Sequence, residues 1–572
     1  MPFPPSSRPA PPIRLLTHPA VLALGLAVLC SFTLVRPLIG PRHLFLFHLS
    51  GSPVPLFLSA ILNLSIVWAL LTILLLFARR PGRLQVAVWS GLILFLPWLL
   101  LKEGSIAGEW VLPDRCSSVL LIVLCVVWIA AMCLWRDSFF PAFNRIRQAA
   151  EVVIGFAAVT AMVFVAQLFW NFWQVRTLNL PRATRPASPI AQAVKPKVIW
   201  IVLDELSYRQ VYERRFPGLN LPAFDSLAQQ STVFTHVIPA GAYTRDVLPS
   251  LMTGEQLAEV KATADGAQLT LLNLKTNRRQ NFDSRETIFQ DAYNDGFRTA
   301  IAGWFIPYCR MLPGILDQCF WTYHQGMDPG ATISSEMSAF WRPILTDVLE
   351  TIRRRPQTSP SDSGHLADYR ELLSTGDRFL SDPSLNFLLL HMPIPHPRGI
   401  YDRRIRAFGT PGTSYIDNLA LADLYLNHVH LLLEQRGEWD SATIVIMGDH
   451  SWRTKWMWSK SALWTAEDQA ASDGAQFDDR PAYIVKLPHQ AGPARIDDPF
   501  PAVETRALLR EILEGRIASP RSWRPSPNLN PQTNPEADAD QIDPRIRQPL
   551  SHEDSTCFCN RWSSRHTASH SA

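Results

Sequence analysis

Val198-Ile-Trp-Ile-Val-Leu-Asp-Glu205 is the stretch that predicts the fold of the larger half of the chain. Its run of apolar, largely β-branched residues is typical of a strand buried on both faces. Ala442-Thr-Ile-Val-Ile-Met447 is a second strand of this kind, and it runs into Gly448-Asp-His450. In α/β folds, ligand sites form beyond the carboxyl ends of such strands.

Acidic residues and a histidine follow these two strands. Asp204 and Glu205 come after the first strand, and Asp449 and His450 come after the second. We therefore expect a divalent metal site at this edge of the sheet. Carboxylate and imidazole ligands suit zinc or manganese better than calcium, although the pattern leaves open which of the three is bound.

A third segment, Ala242-Tyr-Thr-Arg-Asp-Val-Leu-Pro-Ser-Leu-Met-Thr-Gly254, changes from a loop-like run to a helical pattern at Thr244. A hydroxyl at a helix start lies near backbone N–H groups and the positive end of the helix dipole. That is a favourable position for a nucleophile that attacks phosphorus. The alternative is that Thr244 is only an N-cap residue.

Together these segments resemble the alkaline phosphatase/sulfatase superfamily over about residues 197–515. The matching segments are residues 201–205, 222–228, 244–254, 295–300, 395–397 and 448–450. The resemblance implies an α/β domain with a central, mostly parallel sheet and a metal-activated nucleophile that attacks phosphate or sulfate esters. It implies Thr244 as nucleophile and as a metal ligand beside Asp204, Glu205, Asp449 and His450, with His396 contacting the charged oxygens of the ester.

Two positions depart from the formylglycine sulfatases of this superfamily. Formylglycine is made from Cys or Ser, and position 244 is Thr; the family arginine four positions later is Leu248. A threonine nucleophile is instead typical of lipoteichoic acid synthases and of the phosphoethanolamine transferases of the bacterial inner membrane. Those enzymes are anchored in membranes, so the resemblance predicts a membrane domain in this chain.

The first third of the chain carries apolar segments free of Asp, Glu, Lys and Arg. They cover residues 15–35, 54–78, 84–101, 116–135 and 152–175. A bilayer core of roughly 30 Å needs about 20 such residues as a helix. We predict an α-helical membrane domain with about five transmembrane helices; the alternative is a set of buried core helices in a soluble protein.

Loop charges predict the orientation of these helices. One side carries eight basic residues, namely Arg8, Arg14, Arg79, Arg80, Arg83, Arg136, Arg145 and Arg147. The other side carries four, namely Arg36, Arg42, Lys102 and Arg115. Because positive charge is enriched in cytoplasmic loops, we expect a multi-pass protein of the inner (plasma) membrane with its α/β domain outside the cytoplasm.

The predicted organisation has five parts. They are a cytoplasmic tail (1–14), the membrane domain (15–175), an extended Pro-rich linker (176–197), the catalytic domain (198–517) and a disordered polar tail (518–572). Because the domain is expected outside the cytoplasm, Cys309 and Cys319 are predicted to form a disulfide.

Three features near the predicted site have more than one interpretation. His391 is interpreted as a buried core histidine, with a role in the site as the alternative. The Trp- and Lys/Arg-rich residues 452–460 either contact a membrane or an anionic headgroup, or form a packed loop. Near Arg480 the phosphotransferase relatives often have a histidine; here none aligns, and His489 lies past the strand.

The leading functional hypothesis is a membrane enzyme that transfers a phospho-headgroup from a phospholipid to a glycan, a lipid or water. One alternative is a sulfate or phosphate ester hydrolase, and another is a catalytically inactive membrane scaffold. We expect the lipid bilayer and a phospholipid or glycan substrate as partners. No nucleic acid is expected, since the sequence has no basic stripe and no nucleotide-binding loop.

The orientation is testable with fusions to a reporter that is active only outside the cytoplasm. A fusion after Trp200 should be active and a fusion after Arg80 inactive, because the excess of positive charge holds the second site inside. The measurement is reporter activity at matched expression. The reverse pattern would place the catalytic domain in the cytoplasm.

Overall fold

The computed structural model of the chain describes residues 15–39, 53–107, 114–175, 195–262, 268–324, 332–338, 341, 363–410, 412–461, 463–490 and 492–517. The predicted cytoplasmic tail, nearly all of the predicted linker and the predicted C-terminal tail lie outside these residues.

The described part before residue 176 is helical. Its helices are α1 (Pro19–Ile39), α2 (Pro53–Phe77), α3 (Arg83–Ala107), α4 (Asp114–Leu134) and α5 (Arg136–Val175). Within the described residues, two stretches are long and apolar enough to cross a membrane, Pro53–Phe77 and Asp137–Trp173. Three shorter apolar stretches lie in α1, α3 and α4. Five crossings therefore stay a prediction.

The helices pack around two apolar clusters. One joins α1, α2 and α5 through residues such as Val28, Phe57 and Phe164. The other brings Trp89 of α3 and Phe143 of α5 together with α1 and α2. Outside these clusters, many large apolar side chains of α2, α4 and α5 are exposed, as lipid-facing surfaces require.

Helix α5 is longer than the apolar segment from which it was predicted. It begins at Arg136 rather than near residue 152. Its first part is amphipathic: Phe139 and Phe143 are buried, and an ion pair one helical turn apart joins Arg147 to Glu151 at 2.8 Å. Such pairs support a helix in water, so α5 continues beyond its apolar part.

The rest of the described chain forms an α/β domain around one eight-stranded sheet. The strands of this sheet, in spatial order, are β14 (Ala494–Ile496), β2 (Thr232–Phe234), β13 (Tyr483–Lys486), β12 (Thr443–Gly448), β1 (Val198–Leu203), β9 (Phe387–Met392), β7 (Thr299–Trp304) and β8 (Gln318–Thr322). Strands β12, β1, β9, β7 and β8 are parallel to one another, and β13 is antiparallel to both of its neighbours. The smaller strands are β3 (Val237–Ile238), β4 (Leu257–Ala262), β5 (Leu269–Asn273), β6 (Arg279–Asn281), β10 (Tyr401–Asp402), β11 (Ala407–Phe408) and β15 (Phe500–Pro501).

Both faces of the sheet are covered, which is why its central strands are apolar throughout. In β1, Ile199 and Ile201 belong to one core, and Trp200 and Val202 belong to the other. The helices of the domain are α6 (Pro222–Ala228), α7 (Thr244–Thr253), α8 (Ile288–Asn294), α9 (Tyr308–Met311), α10 (Ser363–Ser381), α11 (Tyr415–Gln435), α12 (Ala466–Ala471) and α13 (Thr505–Leu513). Helices α6, α10 and α11 cover the first face, and α7, α8 and α13 cover the second.

The structure joins Cys309 and Cys319 in a disulfide. Cys309 lies in the short helix α9, and Cys319 lies in β8, the strand at one edge of the sheet. The bond therefore fastens α9 to the sheet. This matters for the site because Tyr308, the first residue of α9, reaches the site through a hydrogen bond to His391.

Replacing both cysteines by alanine should lower the free energy of unfolding by about 2–4 kcal/mol, because the unfolded chain regains the freedom of the closed loop. The measurement is thermal unfolding of the detergent-solubilised chain with and without reductant. Peptide-resolved thiol labelling provides the control, since both cysteines should react only after reduction. Ready labelling of both in the native, oxidised protein would contradict the bridge.

Candidate metal centre and nucleophile

The parallel pairing of β1 and β12 places two carboxylates side by side. Leu203 pairs with Gly448, so Asp204 and Asp449 follow at the same level of neighbouring strands. Both are fully buried. A Cβ atom at Gly448 would lie 2.5 Å from the carbonyl oxygen of Leu206, so the close approach that brings the two strand ends together requires glycine here.

Thr244 is the first residue of α7, and Tyr243 occupies the N-cap position. The interpretation of Thr244 as an N-cap is therefore wrong. Its hydroxyl turns towards the strand ends instead. The Oγ1 atom lies 2.7 Å from Oδ2 of Asp449, 3.2 Å from Oδ2 of Asp204 and 3.4 Å from Nε2 of His450.

Asp449 and His450 are oriented by the backbone around them. Oδ1 of Asp449 accepts hydrogen bonds from the N–H groups of Glu205, at 3.0 Å, and His450, at 2.9 Å. Oδ2 is thereby directed to Thr244 and to Nε2 of His450, which is 3.2 Å away. Nδ1 of His450 lies 3.1 Å from the carbonyl oxygen of Ser451. A carbonyl can only accept, so Nδ1 carries the proton and Nε2 keeps its lone pair.

Glu205 points away from this group. Its φ angle of 63° is in the left-handed region, and its carboxylate is held by Arg453 and Trp458. The Nε atom of Arg453 donates to Oε1 at 2.8 Å, a second guanidinium nitrogen contacts the same oxygen, and the indole N–H of Trp458 is 2.9 Å from both oxygens. Glu205 also lies in a group with Asp204 and His396 whose ligand atoms are within 4.8 Å of one another. Its role as a ligand stays a prediction.

His391 lies close to Asp204. It is fully buried, as the interpretation as a core histidine requires, but its Nε2 atom is 3.8 Å from Oδ2 of Asp204. One ligand atom each of Asp204, His391 and Asp449 lie within 4.8 Å of one another. The histidine therefore belongs to the wall of the candidate site.

The charges of these buried groups do not balance. Burial, and then the charge of Asp449, raise the pKa of Asp204 well above its usual value. Burial opposes ionisation of Asp449 as well, but His450, His391 and the hydrogen bonds from Glu205 and Thr244 together hold its pKa below the ordinary value. Burial lowers the pKa of both histidines to about 4, so they are neutral at neutral pH.

A divalent cation fits this environment. Arg453 balances Glu205, which leaves two buried carboxylates with no positive partner among the described side chains around them. Two ligand atoms that are each about 2.1 Å from one cation are about 3.4 Å apart in tetrahedral coordination. The contacts among Asp204, Thr244, Asp449 and His450, from 2.7 to 3.4 Å, are at or below that value, so these groups are close enough together to share one cation.

His396 lies beside this group, on the side of Glu205. Its ring is enclosed by Trp304, at 5.2 Å between centroids, and Trp458, at 5.1 Å. Nδ1 lies 2.7 Å from the carbonyl oxygen of Pro397, so it donates its proton there and leaves Nε2 as an acceptor. Burial, with the nearby charges of His365, Arg453 and Arg398, holds the pKa of His396 well below its usual value.

The structure thus brings Asp204, Thr244, Asp449 and His450 together, with Glu205 and His396 beside them. Cys309 and Cys319 lie elsewhere, in their disulfide. Arg480 forms ion pairs with Asp478 and Glu213, and the backbone N–H of His489 donates to Asp440.

Sequence reasoning missed two contributors to the site. It treated Arg453 as part of a basic loop and His391 as a core residue. The structure favours the packed-loop alternative for residues 452–460, because Trp452, Arg453 and Trp458 are buried and only Lys455 and Lys460 are exposed. For His391, the sequence feature that could have indicated a role in the site was a histidine within an otherwise apolar strand.

Arg453→Met should lower the free energy of unfolding by about 3–5 kcal/mol, because it leaves Glu205 buried without its partner. Adding Glu205→Gln should recover most of that loss, since no unpaired charge then remains. Arg495→Met is the matched control, because its partner Asp497 and Arg495 itself are both exposed, and exposed pairs contribute about 0–1 kcal/mol. Stability is measured by thermal unfolding of the three variants. Equal losses for Arg453→Met and Arg495→Met would contradict the importance of the buried pair.

Comparison with known proteins identifies the domain. Residues 196–470 match the sequence profile of the sulfatase family. No curated protein sequence matches the chain. Similar solved structures include a phosphonate monoester hydrolase of Agrobacterium radiobacter (14% identity, 56% of this chain and 74% of that chain, TM-score 0.35) and the lipoteichoic acid synthase LtaP from Listeria monocytogenes (12%, 59% and 76%, 0.33). A protein in the alkaline phosphatase superfamily from Vibrio parahaemolyticus is also similar (15%, 58% and 69%, 0.33). The α/β domain of this chain is therefore similar to the sulfatase family over residues 196–470.

Proposed function

We propose that this protein is a membrane-anchored, metal-dependent enzyme that transfers a phospho-headgroup through Thr244. The observation that carries the proposal is the position of the Thr244 hydroxyl. It lies between Asp449 and Asp204, with His450 beside it, at the first residue of α7. A buried hydroxyl held among acidic ligand groups is the arrangement that an activated nucleophile needs.

The cation would be held by Asp204, Thr244, Asp449 and His450, whose ligand atoms point to one another. A bound divalent cation lowers the pKa of the Thr244 hydroxyl and neutralises negative charge on the transferred group. Glu205 is occupied by Arg453 and Trp458. We therefore give Glu205 the role of fixing the loop between β1 and the site, rather than that of a main ligand.

In the first step, Oγ1 of Thr244 attacks the phosphorus of a phosphodiester. A bond forms between Oγ1 and phosphorus, and the hydroxyl proton passes to Oδ2 of Asp449, 2.7 Å away. The bond from phosphorus to the leaving oxygen breaks, and that oxygen takes a proton from solvent to leave as the alcohol. The backbone N–H groups and the positive dipole end of the first turn of α7 lie near Thr244, where the phosphoryl group would bind. These groups would stabilise the negative charge on the phosphoryl oxygens.

In the second step, the oxygen of an acceptor hydroxyl attacks phosphorus and loses its proton to solvent, the bond between phosphorus and Oγ1 breaks, and Oγ1 takes back the proton from Oδ2 of Asp449. His396 is suited to orient the acceptor hydroxyl, because its Nδ1 proton is committed to Pro397 and its Nε2 atom accepts a hydrogen bond. This differs from a contact in which His396 donates to the ester oxygens, which needs a proton on Nε2. The lowered pKa of His396 keeps Nε2 free of that proton at neutral pH.

Two features favour transfer of a lipid headgroup over sulfate ester hydrolysis. Position 244 is Thr, which is not a precursor of formylglycine. The domain also follows a helical region with two stretches that are long and apolar enough to cross a membrane. A catalytic domain tethered there works at the bilayer surface, where phospholipid headgroups are the concentrated phosphodiesters. A glycan, a lipid or water would then be the acceptor.

Thr244→Ala should lower turnover of a phosphodiester by three powers of ten or more, since removing a catalytic group commonly costs about that much. Thr244→Ser should keep part of the activity, because the attacking oxygen remains. The matched control is Thr253→Ala at the other end of α7, where the hydroxyl donates to the carbonyl of Pro249; it should keep normal turnover. The measurement is cleavage of bis(p-nitrophenyl) phosphate, with p-nitrophenyl sulfate as the competing substrate.

A covalent trap separates the proposal from its alternatives. Mass spectrometry of the protein after incubation with phospholipid vesicles should find a headgroup mass on Thr244, and Asp449→Ala should lose both the bound metal and this mass. Turnover of the sulfate ester alone would support the hydrolase alternative. A wild-type protein that binds no divalent metal would leave the inactive scaffold in its place.

A further inference from the structure

His391 is placed by the sheet rather than by a loop. It lies in β9, where it pairs with Val202 of β1 on one side and with Gly303 of β7 on the other. A Cβ atom at position 303 would lie 2.2 Å from the ring of Tyr308. The glycine therefore makes room for the tyrosine ring against the sheet, directly beside the histidine.

Tyr308 binds one nitrogen of His391. Its hydroxyl oxygen lies 2.7 Å from Nδ1, and both side chains are fully buried. The other nitrogen, Nε2, makes no hydrogen bond to any residue that the structure describes. Oδ1 of Asp204 likewise makes no hydrogen bond to any residue that the structure describes. A buried histidine that leaves one nitrogen unsatisfied incurs a desolvation cost, which a ligand at that nitrogen would remove.

The distance from Nε2 to Asp204 fits a cation shared by the two side chains. It lies 3.8 Å from Oδ2 of Asp204, too far for a hydrogen bond. Two atoms that bind one cation at about 2.1 Å lie between about 3.4 Å apart, in tetrahedral coordination, and about 4.2 Å, when they are opposite each other. The observed separation falls within this interval. Asp204, His391 and Asp449 also form one of the groups of described residues whose ligand atoms are close enough to hold one cation.

We propose that Nε2 of His391 is a further ligand of the cation and that Tyr308 is the positioning residue that orients it. The inference rests on the proposed function, because it concerns the same cation. It extends the ligand set beyond the residues at the strand ends to a histidine inside β9. The site would then hold two imidazoles, His391 and His450.

Tyr308 orients the ring of His391. When Nε2 offers its lone pair to a cation, the ring proton is on Nδ1, where it donates to the hydroxyl oxygen of Tyr308. The tyrosine is held by the wall of β7 at Gly303, and its neighbour Cys309 is bonded to β8. Through these contacts the disulfide-bonded edge of the sheet supports the orientation of a metal ligand in its interior.

The test is a titration of Mn²⁺ or Zn²⁺ into the metal-free, full-length protein in detergent, with the dissociation constant as readout. His391→Ala should weaken binding by 10-fold or more, and added imidazole should restore part of it. Tyr308→Phe should weaken binding by about 10-fold, as loss of a partner behind a metal-bound histidine commonly does. Tyr425→Phe is the matched control. Its hydroxyl is buried and makes no hydrogen bond to the described residues, so binding should be unchanged.

The outcomes separate this inference from the proposed function. If Asp449→Ala abolishes binding while His391→Ala and His391→Gln bind as wild type, the further ligand is wrong and the proposed function stands. If wild-type protein binds no cation, both fail. Should His391→Ala not fold, as judged by its thermal transition, Tyr308→Phe and His391→Gln decide: wild-type affinity in both would overturn the inference, and weakened affinity in both would support it.

Discussion

The register between β1 and β12 is the constraint on which the site depends. It fixes Asp204 and Asp449 at the same height on neighbouring strands, deep in a sheet that is covered on both faces. Two carboxylates held this way cannot move apart without breaking the ladder. Because burying an uncompensated charge is costly, the surrounding chain must supply positive charge or hydrogen bonds at this one place.

The chain supplies this compensation unevenly. Asp449 receives two backbone N–H groups and the Thr244 hydroxyl, whereas Asp204 receives only the hydroxyl at 3.2 Å among its described side-chain partners. The single guanidinium in the centre, Arg453, is committed to Glu205. The negative charge that remains uncompensated is therefore mainly that of Asp204, next to the Nε2 atom of His391, which has no hydrogen bond among the described residues.

Much of this arrangement could be predicted from the sequence, because acidic residues that directly follow buried strands must emerge at one edge of a parallel sheet. The helix start at Thr244 could be predicted too, since an apolar helical pattern begins there. The direction of Glu205 could not. It depends on a left-handed backbone angle at a non-glycine residue and on Arg453, which lies 248 positions away. The position of His391 in the site could not be predicted for another reason. Inside a buried strand, the sequence does not distinguish a metal ligand from a core residue.

In the helical region before residue 176, the presence of helices was easier to predict than their ends. Long apolar segments predicted a helix at each of the five positions, and the described residues are helical there. The same segments did not predict where the helices end, since a helix continues beyond its apolar part where ion pairs such as Arg147 to Glu151 support it. Composition therefore indicates how many helices the region contains better than it indicates which of them cross.

In the proposed enzyme, metal binding and folding would depend on the same side chains. A ligand that binds only the folded state at 100 times its dissociation constant adds about 2.7 kcal/mol to the stability. Without a cation, two ionised carboxylates at Asp204 and Asp449 repel each other inside the fold; a cation bound between them would replace that repulsion by attraction to a common centre. The proposed catalytic residues would thus destabilise the metal-free domain. The same buried carboxylates hold the Thr244 hydroxyl, 2.7 Å from Asp449, where a bound cation would activate it.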